Sequence, residues 1–141
     1  MKPTAVLHVE DDPNDAFLLK HALRKADLPL EIQHVVDGQQ AIDYLSGTGN
    51  FSDRTHFPLP RLVLLDLKLP LLNGFEVLAW ARSHSEFLAL PVFVLSSSDL
   101  PEDISEAKRL GADDFFVKTH TFEDVIQALK NIATPRPAVS S

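Results

Sequence analysis

Apolar positions along this chain fall into two kinds of pattern. Short, nearly unbroken apolar runs occur at Ala5–Val9, Leu62–Leu65, Pro91–Leu95 and Phe115–Val117. Such runs are too short for a helix and read as strands; the continuous ones at Leu62–Leu65 and Pro91–Leu95 suit strands buried on both faces, as in a parallel sheet. Residues 31–36 form a weaker run, which predicts a strand at a sheet edge. Between the runs, apolar residues recur at helical spacing: Ala16, Leu19, Leu23 and Ala26; Ala41, Ile42 and Leu45; Phe75, Leu78 and Trp80; Ile104, Ala107 and Leu110; Val125, Leu129 and Ile132. Strand and helix alternate five times. That order predicts an α/β fold: one doubly wound, five-stranded parallel sheet with helices on both faces and right-handed crossovers.

The punctuation agrees with the periodicity. Asp12-Pro13 reads as an N-cap followed by proline at the first helical position, with Asp15 at a capping-box spacing. Asp37-Gly38 and Asn73-Gly74 open the next two helices, and Gly111 is placed to end the fourth. Thr121, with Asp124 three residues on, is predicted to cap the last helix. Residues 46–60 make a polar loop, long for a connection inside one domain. The expected organisation is a single domain over 1–133 and a flexible tail over 134–141.

Composition narrows the chemistry. The chain has 141 residues, no Cys and a net charge of −7. Disulfides, thiolate catalysis and Cys-bound zinc are excluded. The acidic balance, with no Lys/Arg cluster, argues against nucleic acid and anionic membranes as partners. No apolar stretch approaches membrane length, and a cytoplasmic location is expected.

In a parallel sheet every strand ends on the same rim. The residues just past the predicted strand ends are Glu10, Asp11, Asp66, Ser96 and Lys118. Three carboxylates brought together repel unless a cation compensates them. Oxygen donors without His or Cys suit a hard divalent ion such as Mg²⁺. A hydroxyl and an ammonium at the same rim can take phosphoryl oxygens, so the set suggests phosphoryl chemistry with Asp66 as the acceptor. Taken singly, each residue has a plainer explanation as a cap, a loop hydroxyl or a solvated lysine. Their joint placement is what carries the reading. The six His residues (8, 21, 34, 56, 84 and 120) are scattered, and none forms a metal-ligand spacing with another.

Four motifs resemble one family: Val-Glu-Asp-Asp-Pro (9–13), Leu-Leu-Asp-Leu-Lys-Leu-Pro with Asn-Gly (64–74), Pro-Val-Phe-Val-Leu-Ser-Ser (91–97) and Gly-Ala-Asp-Asp-Phe-Phe-Val-Lys (111–118). The chain resembles a response-regulator receiver domain of two-component signalling over about residues 4–133. The long loop before the Asp66 strand is similar to that of stand-alone regulators paired with bacterial phytochrome kinases. The resemblance implies a flavodoxin-like sheet of order 2-1-3-4-5. It implies that Asp66 accepts a phosphoryl group from a sensor histidine kinase, with no other enzymatic activity than self-phosphorylation and self-dephosphorylation. Mg²⁺ would be held by Asp11, Asp66 and the carbonyl of Lys68, with Glu10 acting through water. Ser96 and Lys118 would bind phosphoryl oxygens, and Ser96 and Phe115 would switch on phosphorylation. The family usually has Lys-Pro where this chain has Lys118-Thr119, which bears on how Lys118 is aimed.

Two other readings compete. A degenerate receiver would bind proteins without phosphorylation. A haloacid dehalogenase-type phosphatase also uses a strand-end Asp, but it would want an acid where Lys68 stands. The signal is expected to leave by contact with an unidentified downstream protein. The readout face is expected over Pro101–Ile132, which would also pair two chains as a homodimer. Two features motivate that face: an edge strand at Phe115, and an apolar arc on the last helix that Phe122 and Ile126 widen.

Overall fold

The computed structural model describes residues 3–118 and 122–133. Five strands, β1 (Thr4–Val9), β2 (Leu30–Val35), β3 (Leu62–Leu65), β4 (Val92–Ser96) and β5 (Asp114–Val117), pair in parallel in the order β2-β1-β3-β4-β5. Helices α1 (Pro13–Ala26), α2 (Gly38–Ser46), α3 (Gly74–Arg82), α4 (Pro101–Arg109) and α5 (Glu123–Ala133) link and follow them. The weakly apolar strand, β2, is at one edge, as its pattern predicts, and β5, also expected as an edge strand, is at the other.

Alternation along β1 sorts its side chains between two cores. Leu7 and Val9 join Val63, Leu65, Ala41, Tyr44, Leu45, Val77 and Leu78 on the α2/α3 side. Val6 joins Leu62, Leu64, Leu19, Leu23, Phe122, Val125 and Leu129 on the α1/α5 side. His8 and Glu10, two and four residues after Val6, share its face. Each fully buried Leu or Val contributes about 1.5–3 kcal/mol relative to exposure, so both faces of the sheet are held.

The loop after α2 forms a small core of its own. Its 3-10 turn, Gly49–Phe51, sets Phe51 against Tyr44, with 5.2 Å between ring centroids, and against Phe57 at the same distance. Arg54 donates to the carbonyls of Tyr44 and Leu45 at the end of α2, and to that of Phe57, at 2.8, 2.9 and 3.1 Å. The guanidinium thus satisfies helix-end carbonyls that have no partner within the helix. Tyr44, not the expected Ile42, is the large residue α2 buries; its hydroxyl donates to Pro58 O at 2.8 Å.

Several expectations are corrected. Asp12 caps α1 by accepting from Asn14 N and Asp15 N, but Asp15 does not return a capping-box bond; its carboxylate goes to Lys118. The reciprocal box is instead at Asn73 and Glu76, opening α3. The apolar arc of α5 is not in excess: Phe122 is buried and Ile126 packs against the α1/α5 core. α4 buries only Ala107 among its own residues, because Ile104 stays half-exposed. The Lys118-Thr119 bond, the Thr121 cap and the tail over 134–141 lie outside the described residues.

Candidate functional site

The sheet ladder continues one residue past the strand ends. Glu10 N donates to Val35 O at 3.0 Å, Asp66 N to Val9 O at 3.1 Å and Lys118 N to Ser96 O at 2.7 Å. These bonds fix the main chain at each rim residue before any side chain is considered. Register then places Val9 beside Leu65, Leu65 beside Val94 and Ser96 beside Val117. Glu10, Asp66, Ser96 and Lys118 therefore end their strands at one rim.

Asp66 is 6% exposed and Glu10 1%. Asp66 Oδ1 accepts from Lys68 N at 3.2 Å, so the loop's own backbone orients the carboxylate. The loop must lie close. A Cβ on Gly74 would run into the carbonyl of Asp66, and one on Gly38 into that of Leu72. Glycine at both positions is what lets the β3–α3 turn fold over the start of α2 and α3.

Lys118 reaches the centre of the cluster. Its Nζ is 2.7 Å from Glu10 Oε1, 2.9 Å from Asp66 Oδ2 and 2.9 Å from Asp15 Oδ2. Burial pushes the Lys118 ammonium pKa down, but its hydrogen bonds to Glu10, Asp15 and Asp66 outweigh burial and the net shift is up. Burial raises the Glu10 carboxyl to about 7; Asp66 adds to that rise and Lys118 opposes it. Burial, and then the fields of His34 and Lys118, lower His8 to about 3. The ammonium is thus held charged, while burial, and then the nearby Asp66 carboxylate, make the Glu10 carboxyl resist ionisation.

Ser96 is fully buried, and its Oγ accepts from Ser98 N at 3.2 Å. Ser98 Oγ in turn donates to Asp103 Oδ2 in the first turn of α4 at 2.5 Å. Phe115 is half-buried and packs with Leu67, Val94 and Ala107. Lys68 keeps its side chain exposed and meets the site through its backbone. Asp15 is the site residue that sequence reasoning missed. Its local signal is that of any acid in a first helical turn, and only the packing of α1 reveals its partner.

Glu10, Asp11 and Asp66 each offer a carboxylate oxygen within 4.8 Å of the others, with Asp11 exposed to solvent. Four acids, Asp15 included, face one lysine. An all-oxygen donor set with uncompensated charge fits a hard divalent cation.

Residues 6–130 match the family model of the response regulator receiver domain. Response regulator Rcp1 of Synechocystis is 29% identical over 92% of this chain and 86% of its own. Its Mn²⁺-bound structure superposes with a TM-score of 0.79 over 99% of this chain and 98% of that one, at 27% identity. The phosphorylated cyanobacterial phytochrome response regulator RcpA gives a TM-score of 0.81 at 31% identity over 99% of both chains. The bacteriophytochrome response regulator AtBRR gives 0.81 at 34% identity over the whole of both.

Proposed function

The chain belongs to the response regulator receiver domain family, and from that membership we propose that it accepts a phosphoryl group on Asp66 from a phosphohistidine of a sensor histidine kinase. A carboxylate oxygen of Asp66 forms the new P–O bond while the P–N bond to the kinase imidazole breaks. The observation that carries this reading is the surroundings of Asp66: a buried strand-end carboxylate with Lys118 at 2.9 Å and two further acids in reach.

The residues divide the work by chemistry. Asp11 and Asp66, with the Lys68 carbonyl, would hold Mg²⁺, and Glu10 would act through water. When bound, the ion supplies positive charge against the phosphoryl oxygens. Lys118 pairs with a phosphoryl oxygen by exchanging one of its present carboxylate contacts for it. The Ser96 hydroxyl already accepts from Ser98 N, so its own proton is available to a phosphoryl oxygen. As Ser96 turns, Phe115 repacks against Leu67 and Ala107 and carries the change to the α4–β5–α5 face.

The similarity to phytochrome response regulators supports a kinase of that type as donor, in the cytoplasm. Among the described residues no helix is long and apolar enough to cross a membrane. The edge position of β5 supports a homodimer or a downstream protein on the Pro101–Ile132 face. Phosphotransfer followed with labelled phosphate tests the central claim. Wild type incorporates label from acetyl phosphate only with Mg²⁺, and the folded Asp66→Asn variant does not. A wild type that takes no label from either acetyl phosphate or a kinase favours the phosphorylation-independent binding module instead.

A further inference from the structure

His8 and His34 are far apart in the chain but are register partners on β1 and β2. Their side chains share the α1-facing side of the sheet, with 5.7 Å between ring centroids and 36° between planes. His34 Nε2 is 2.7 Å from the carbonyl oxygen of Glu10. A carbonyl carries no proton, so Nε2 must donate, and the neutral ring then keeps its lone pair on Nδ1. That is the arrangement of metal-ligating histidines, whose second nitrogen donates to a carbonyl or carboxylate that fixes tautomer and orientation.

His8 is 3% exposed. Both imidazoles line a cleft of about 230 Å³ roofed by Pro13, Ala16 and Phe17 of α1 and floored in part by Ile32. Lys20 stands at its rim, and its flexible stem can carry the ammonium out into water.

We infer that His8 and His34 form a site for a borderline transition-metal ion of the Zn²⁺, Ni²⁺ or Cu²⁺ class. Metal–nitrogen bonds of about 2.0–2.1 Å to two imidazoles suit rings at this separation, and imidazole selects these ions over Mg²⁺. The cleft leaves the remaining positions to water. The site is separate in chemistry from the all-oxygen cluster at the rim, and its existence does not depend on the phosphoryl reading. It is also joined to that cluster by one bond, because the carbonyl that orients His34 is that of Glu10.

Titration of untagged full-length protein with ZnCl₂ under saturating Mg²⁺ tests this. One Zn²⁺ should bind per chain, with affinity at least tenfold weaker in His34→Gln, a surface change that spares the core, and unchanged in Asp11→Ala. The His34 Nδ1 resonance should shift on Zn²⁺ addition in ¹⁵N NMR of the imidazoles, which separates ligation from an indirect effect. Zn²⁺ binding that survives His34→Gln, that vanishes with Asp11→Ala, or that fails to appear overturns the assignment.

Discussion

Lys118 Nζ lies 2.9 Å from Asp15 Oδ2, across 103 positions of sequence. The contact ties the end of β5 to the first turn of α1, and it makes Lys118 the shared counterion of three acids. Removing that cation should therefore matter most when no metal is present. Lys118→Met leaves buried Glu10 and Asp66 uncompensated and is expected to cost about 3 kcal/mol in EDTA, the scale of breaking a buried pair. Mg²⁺ should restore part of this by taking over the compensation. Asp15→Asn should cost only about 1 kcal/mol, since Asp15 is partly exposed. Urea unfolding with and without Mg²⁺ checks both, and equal losses for the two variants would contradict the shared-counterion account.

Asp11 is the exposed member of the acid cluster and the one without a link to Lys118 among the described residues. Its carboxylate is thus free for an incoming ion. Calorimetric titration should show Mg²⁺ affinity falling at least tenfold in Asp11→Ala while stability in EDTA changes by less than about 0.5 kcal/mol, as for a surface substitution. Undiminished Mg²⁺ binding by this variant removes Asp11 from the site.

His8 and Glu10 share one face of β1 and titrate in opposite senses. His8 is lowered by burial from 6.5 to about 3. Between those pH values the unfolded chain holds a proton that the folded chain lacks, so His8 withdraws stability as pH falls. Glu10 is raised by burial from 4.5 to about 7. Between those values the folded chain holds the extra proton, so Glu10 adds stability as pH falls. Each slope is at most about 1.4 kcal/mol per pH unit, and from about pH 6.5 to 4.5 the two oppose. Glu10→Gln removes only the second. In EDTA it should lose stability relative to wild type as pH drops through that interval, read from urea midpoints. A wild-type-minus-variant difference that stays constant there rules the mechanism out.

Ser98 supplies what α4 lacks. Leu100, at the N-cap, has no side-chain cap, while Ser98 Oγ donates to Asp103 at 2.5 Å and accepts from Leu100 N at 3.3 Å. Ser98→Ala should cost about 1 kcal/mol, as loss of a cap does. α4 buries little, so the loss should appear as local opening. Hydrogen exchange should speed up in the first turn of α4 and leave β1 and β3 unchanged. Protection of α4 equal to wild type would assign that helix another anchor.

The strand-end placement of Glu10, Asp11, Asp66, Ser96 and Lys118 was legible in the sequence for a physical reason. An unbroken apolar run marks a buried parallel strand, and its last residue marks the rim whatever the neighbouring strand is. The order of helices and strands, the weakly apolar edge strand β2 and the Gly111 stop followed from the same local rules. Three features were decided only by tertiary structure. Asp15 joins Lys118 because α1 packs with its first turn over the rim, and nothing local to Asp15 encodes that rotation. The residue 46–60 loop orders around Tyr44, Phe51, Phe57 and Arg54 because helix-end carbonyls need donors, and the chain brings one back from nine residues away. His8 meets His34 because parallel register aligns Val9 with Val35. Spacing along the chain says which face a residue takes; only the packing of one element on another says what it will find there.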